Sequence, residues 1–351
     1  MYYPPMKAAV LETIDAPLVV GQVDLGALAR GQVLVKLIVS GICGSQLQEI
    51  AGNKGNAKFV PHLLGHEGCG TVEDVGEGVT KVKKGDKVIL HWRKGDGLES
   101  DFPTYTYKGK KMQSGKVTTF SEYSIVSENR VTPVPADTPD DLCALLGCGL
   151  STALGAVENN AKVRAGESVM VVGLGGLGAC FIKAAKLAGA KPVIGVDIHD
   201  SKKESAESLG ADVFINAAKG NVREQLPKDA AARGVDVIIE TSGNAKSIAD
   251  TIPLLAGGGR YVMVGQPKPG ESVEITNAVH LFGGEGKTIM ATQGGSFSPA
   301  TDIPRYVQMY RDGTLNTDGL ITHRTTLDDI NNAIGLMRDG KANRIMIDIW
   351  Q

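Results

Sequence analysis

An α/β fold, partly β-rich and partly a parallel doubly wound sheet, is predicted by three observations. Residues 6–140 read as short strands broken by glycine. From about residue 151, strand, glycine turn and helix alternate, which marks a parallel sheet with crossover helices. The apolar run Val169-Met-Val-Val172 enters the turn Gly173-Leu-Gly-Gly-Leu-Gly178, and helix formers follow over 179–188.

In chain order, 33–39, 70–75 and 87–90 are rich in β-formers, and the clusters Gly76-Glu77-Gly78 and Lys84-Gly85-Asp86 supply turns between them. Residues 168–173 give the first strand of the parallel sheet, 191–197 the second, and 235–240 and 260–265 later ones. Helices over 303–310 and 327–337 and a strand over 344–349 close the chain. A length of 351 residues is comfortable for two domains.

Composition narrows the function classes. A formal charge of −2 with both signs mixed argues against nucleic acid or a membrane surface as a partner. No apolar run approaches the roughly 20 residues of a membrane span, and no leader pattern opens the chain. Five scattered cysteines (43, 69, 143, 148 and 180) do not resemble a secreted disulfide framework, so a cytoplasmic protein is expected.

The glycine turn carries the first chemical signal. In G-x-G-x-x-G, Gly173 permits the tight turn, Gly175 lets the backbone approach a pyrophosphate, and Gly178 lets helix pack on strand. With Gly176 and Leu177 they open a helix whose N-terminus favours phosphate. The second strand ends in Asp197, 19 residues after Gly178, where a carboxylate hydrogen-bonds a ribose 2′-hydroxyl and repels a 2′-phosphate. No arginine follows it, so NAD is expected over NADP.

Cys43, His66 and Cys148 carry the second. Zinc favours thiolate and imidazole, and three protein ligands leave the open position of a catalytic site. Buried packing cysteines and a core histidine are the plain alternative, because spacings of 23 and 82 residues have no local metal logic.

The stretches Gly41-Ile-Cys-Gly-Ser45, Gly65-His-Glu67, Val75-Gly-Glu-Gly-Val79, Val82-Lys-Lys-Gly-Asp-Lys-Val88, Leu146-Gly-Cys-Gly-Leu-Ser-Thr152, Gly173–Gly178 and Gly340-Lys-Ala-Asn-Arg344 stand in the order of a known family. Over essentially its full length the chain resembles the zinc-dependent medium-chain alcohol dehydrogenases, and residues around 141–200 and 300–350 resemble the glutathione-dependent formaldehyde dehydrogenase branch. The resemblance implies a GroES-like β-rich catalytic domain from 1–151 and 291–351, with a Rossmann NAD-binding domain inserted over 152–290. It implies one catalytic zinc on Cys43, His66 and Cys148, with Glu67 behind it as an acid or transient ligand. Ser45 would take the substrate proton, Thr152 would pack on the nicotinamide, and Lys202 would help Asp197 hold the ribose. Arg344 would reach the pyrophosphate, Val264, Gly265 and Gln266 would meet the carboxamide, and Trp92 would line the substrate pocket. A homodimer or homotetramer acting on a small alcohol or aldehyde is expected.

Three departures matter. The segment 91–118, where many relatives carry four cysteines for a structural zinc, has none, so no structural zinc of that kind is expected. Gln46 replaces an acid that supports the zinc-binding histidine, and Gln48 replaces a histidine that ends the proton relay. Residues 93–116 hold six basic side chains against three acidic ones, which suggests a polar or polyhydroxylated substrate or else a solvated loop. His91 reads as a pocket acid/base or a solvated strand-end histidine. A zinc-free NAD(P)H quinone or enoyl reductase of the same superfamily and a non-catalytic nucleotide-binding protein are the alternatives. Asp197, Cys43 and Cys148 speak against the first.

Overall fold

The computed structural model describes residues 3–55, 57–283 and 285–351. The chain forms two compact units, Met1–Ser151 with Ser298–Thr317 and Ile321–Gln351, and Thr152–Phe297 with Asp318–Leu320.

The first unit is β-rich. One sheet runs in the order His62–Leu63, Met6–Leu11, Val19–Leu25, Tyr105–Tyr107, Lys110–Met112. A second, seven-stranded sheet centres on the long strand Gln32–Ile42, which pairs with Glu67–Val75, Tyr123–Ser127 and the C-terminal strand Arg344–Asp348. Ile345 lies opposite Ile42, so chain closure delivers Arg344 to the end of the strand that leads into Cys43. Val33, Val35, Leu37, Val72, Val88, Leu90, Ile345 and Ile347 share one core. Each such side chain contributes roughly 1.5–3 kcal/mol when fully buried.

The second unit is a six-stranded parallel sheet in the order Val213–Asn216, Val193–Asp197, Val169–Val172, Val235–Glu240, Leu255–Met263, Thr288–Ala291. Val169–Val172 is buried at every position, as a strand covered on both faces must be. The helix Gly176–Leu187 follows it and buries Ala179, Cys180, Phe181, Ile182, Ala184 and Ala185. This unit continues past residue 290 because Thr288–Ala291 pairs in register with Arg260–Met263. The helix Pro299–Arg311 belongs to the first unit.

Local pattern does not mark every element. The short hairpin Tyr105–Tyr107 with Lys110–Met112 lies in the charged segment and is fixed by pairing with Val19–Leu25. Asp140–Leu146 and Gly149–Gly155 are helical on either side of Cys148. Among the described residues no single helix is long and apolar enough to cross a membrane.

Candidate functional site

Cys43 caps the helix Gly44–Ile50 in extended conformation, at the exit of Gln32–Ile42. His66 immediately precedes the strand Glu67–Val75, and Cys148 sits between the two helices just described. Their ligand atoms lie within 4.8 Å of one another, the one such histidine, cysteine or acid group among the described residues. Cys69, Cys143 and Cys180 are fully buried and outside it.

The donor set suits a cation. Cys43 and Cys148 are half-buried; the hydrogen bond between them holds Cys43 well below the usual thiol range against the opposing effect of burial, and pushes Cys148 up. Burial would lower the His66 imidazole, but the adjacent Cys43 thiolate raises it overall. His66 Nε2 is buried with no hydrogen-bond partner of good geometry among the described residues. An orphaned ring nitrogen beside two thiols fits a soft divalent metal such as zinc.

Gln46 supports the cluster through both ends of its amide. Its Oε1 accepts from the Cys43 backbone N–H at 3.1 Å, and its Nε2 lies 2.7 Å from His66 Nδ1. Gln48 is engaged elsewhere, accepting from Asn53 Nδ2 at 2.8 Å. Ser45 stands half-buried in the first turn of the same helix.

Glu67 is not a member of the ligand cluster. Its carboxylate is fully buried in an ion pair with the equally buried Arg344 and accepts from the Gly149 N–H at 3.2 Å. Burial pushes this carboxyl up, and Arg344 opposes that shift. Arg344, expected at a pyrophosphate, is thus held against Glu67. Close packing around the pair and the Leu90 carbonyl, which a Cβ on Gly147 would meet at 2.5 Å, accounts for the glycines flanking Cys148. A Cβ on Gly147 would meet Glu67 Cβ at 2.8 Å, and one on Gly149 would meet the Arg344 guanidinium at 2.9 Å.

A cleft of about 440 Å3 opens onto His66. Trp92 lines this cleft, beside Phe59, Phe102, Glu49, Lys54 and His62. Of the six basic residues in 93–116 only Lys116 lines this cleft, and it and Lys94 pair with Glu99, which Arg130 also approaches. Lys108 pairs with Glu12. His91 is neither a pocket acid nor a solvated strand end. It is fully buried, bonded to Arg93 O and Thr132 Oγ1, and burial lowers its pKa to about 3. Glu49, Lys54 and His62 carry no motif and escape sequence reasoning; only their position on the cleft wall singles them out.

In the second unit a cavity of about 790 Å3 is lined by Gly173, Val196, Asp197 and Ile198. Gly173 has φ of 84°, and a Cβ on Gly178 would strike the Gly173 carbonyl, so both glycines are required by the turn. Gly175 caps the helix that Gly176, Leu177 and Gly178 begin, and faces open space. Asp197 Oδ2 accepts from the Leu174 N–H at 2.7 Å and Oδ1 from His199 Nδ1 at 3.0 Å. Lys202 is buried and coupled electrostatically to Asp197. Arg223 and Lys246 also line this cavity, but Arg223 donates to the carbonyls of Ala231 and Pro253, and Lys246 pairs with Asp250. The N–H groups of Val264 and Gly265 donate to Glu240 O, and Gln266 follows them in the chain. Thr152 is buried with its hydroxyl unpartnered among the described residues.

A cysteine–histidine–cysteine cluster in a β-rich unit, on a chain that also carries a parallel-sheet nucleotide unit, defines a class of zinc-binding dehydrogenase. Residues 29–136 match the alcohol dehydrogenase GroES-like domain, and residues 176–311 match the zinc-binding dehydrogenase domain. The chain is 33% identical to S-(hydroxymethyl)glutathione dehydrogenase of Paracoccus denitrificans, covering 97% of this chain and 99% of that one. It is 34% identical to alcohol dehydrogenase 6 of Peromyscus maniculatus, covering 97% of each. The structure of benzyl alcohol dehydrogenase from Acinetobacter calcoaceticus superposes with a TM-score of 0.88 at 27% identity, over 99% of this chain and 100% of that one. The protein belongs to the zinc-binding medium-chain alcohol dehydrogenase family and is an oxidoreductase of that family.

Proposed function

We propose that this chain transfers hydride between NAD and a primary or secondary alcohol, or the matching aldehyde or ketone, with one zinc held by Cys43, His66 and Cys148. The observation that carries the reading is the convergence of these three donors, with His66 Nε2 left without another partner. Zinc would supply Lewis acidity toward a substrate oxygen, and NAD would accept the hydride. The residues do the rest. The Ser45 hydroxyl, in the turn that starts at Cys43, receives the substrate proton. That proton leaves by a route other than Gln48, whose amide does not titrate and is bonded to Asn53.

Asp197 supports NAD over NADP. A carboxylate at the strand end faces the cavity, and a 2′-phosphate there meets like charge at a cost of several kcal/mol. NAD should therefore exceed NADP in kcat/KM by more than about 100-fold.

Metal analysis of protein purified without chelator tests the core of the proposal. One zinc per chain, lost in Cys148→Ser together with alcohol-dependent NADH formation, is the expected result. A metal-free wild-type chain would leave the zinc-free reductase and the binding-protein readings standing instead.

A further inference from the structure

We propose that His199 is a positioning residue for the cofactor: it fixes the Asp197 carboxylate so that Oδ2 is left to take a ribose hydroxyl, and it thereby sets the discrimination between NAD and NADP. This rests on the dehydrogenase reading above, and it deepens the cofactor choice of that same site.

Asp197 ends its strand on the wall of the 790 Å3 cavity, its side chain 10% exposed against 49% for that of His199. An aspartate side chain readily bonds the backbone two residues on, and Asp197 Oδ1 accepts from the His199 N–H at 3.0 Å. The His199 ring reaches the same oxygen through Nδ1, also at 3.0 Å. A carboxylate only accepts hydrogen bonds, so the ring proton stands on Nδ1. Each carboxylate oxygen takes about two such bonds, so His199 fills Oδ1. Oδ2 accepts from the Leu174 N–H at 2.7 Å and, among the described residues, keeps a second acceptor site for a ligand. The torsion that turns a carboxylate is broad and soft, so these three donors set its direction.

Arg223 and Lys246 also line the cavity, but they are engaged with the Ala231 and Pro253 carbonyls and with Asp250. Discrimination against a 2′-phosphate therefore falls on the Asp197 charge and on where it points. The two ligands respond in opposite ways. A 2′-hydroxyl gains a hydrogen bond from a fixed carboxylate, whereas a 2′-phosphate gains when the carboxylate turns aside. Removing the ring should thus weaken NADH and spare NADPH, while a general loss of packing would weaken both.

The test measures NADH and NADPH binding to the zinc-loaded full chain by nicotinamide fluorescence, with no alcohol present. His199→Ala should raise the Kd of NADH about tenfold and leave that of NADPH unchanged or lower. In turnover the loss should fall on KM for NAD more than on kcat. His199→Asn, whose amide N–H stands where Nδ1 does, should recover most of the NADH affinity. In an Asp197→Ala background the same His199→Ala change should have no effect on NADH, because the ring acts through the carboxylate. Unchanged zinc content and Tm establish that the variants are folded. An unchanged NADH Kd in His199→Ala, equal losses for NADH and NADPH, or a loss that persists without Asp197 overturns the inference and leaves the dehydrogenase reading intact. A wild-type chain that binds neither dinucleotide, or that prefers NADPH, overturns the inference together with the NAD reading.

Discussion

Gln46 shows how one substitution redistributes hydrogen bonds around a metal donor. A histidine that gives Nε2 to a metal keeps its proton on Nδ1 and needs an acceptor there. The Gln46 oxygen is already taken by the Cys43 N–H, and its amide nitrogen faces His66 Nδ1. To accept from Nδ1–H the amide must turn, and the Cys43 N–H then loses its acceptor. An aspartate has two acceptor oxygens and could serve both donors. Gln46→Asp is therefore expected to tighten zinc binding by about 10–100-fold, read by competition with a chromogenic chelator. Affinity that falls or stays the same would show that the glutamine is not the weak point. Behind the cluster, Arg344→Met leaves the buried Glu67 carboxylate without its cation. Loss of one partner of a buried ion pair costs about 3–5 kcal/mol, so denaturant unfolding should move to a much lower midpoint. Both roles follow from contacts between residues far apart in the chain. The sequence names Cys43, His66 and Cys148 through the glycines and short motifs around them, but nothing near Arg344 says that it meets Glu67.

At the scale of elements, the segment 91–118 is where sequence and structure part most. A surplus of lysine reads as a basic lobe, yet Glu99 gathers Lys94, Lys116 and Arg130, and a short hairpin joins the neighbouring sheet. Strands and the glycine turn are legible because period, branching and turn chemistry are local. Ion pairs such as Lys108 with Glu12 are not, since partner and distance are set by the sheet. The same segment carries two groups that make folding sensitive to acid. Burial raises the Glu99 carboxyl, but hydrogen bonds from Asn129, Lys94 and Lys116 and the charge of Arg130 outweigh it and bring its pKa to about 2. Its stabilisation is present above its unfolded value near 4.5 and is lost as pH falls toward 2. Burial of His91 lowers its pKa from 6.5 to about 3, so the unfolded chain takes up a proton that the folded chain refuses in that interval. Stability therefore falls with acidification below pH 6.5 on this account as well. Urea midpoints at pH 7 and pH 3 should differ markedly in the wild type and less in Glu99→Gln. An unchanged difference in the variant would remove Glu99 from the explanation.

For the molecule as a whole, the parallel sheet ends on an edge. Thr288–Ala291 pairs on one side with Leu255–Met263, and its residues are half-buried or exposed. An uncovered strand edge offers unsatisfied N–H and C=O groups to another chain, and soluble proteins usually cover it or pair it. Nearby in sequence, Val279 and Phe282 are 66% and 81% exposed, and Ile275 is also exposed. Exposed apolar side chains and an open edge are what an isologous contact consumes, since a two-fold axis lets one edge meet its own copy. The expected state is therefore a homodimer formed through this edge of the second unit. Sedimentation at micromolar concentration should give twice the chain mass, and Phe282→Glu or Met290→Lys should shift it toward the monomer while each chain keeps its zinc. A wild type that sediments as a monomer, or a dimer indifferent to both charges, would place the contact elsewhere or abolish it.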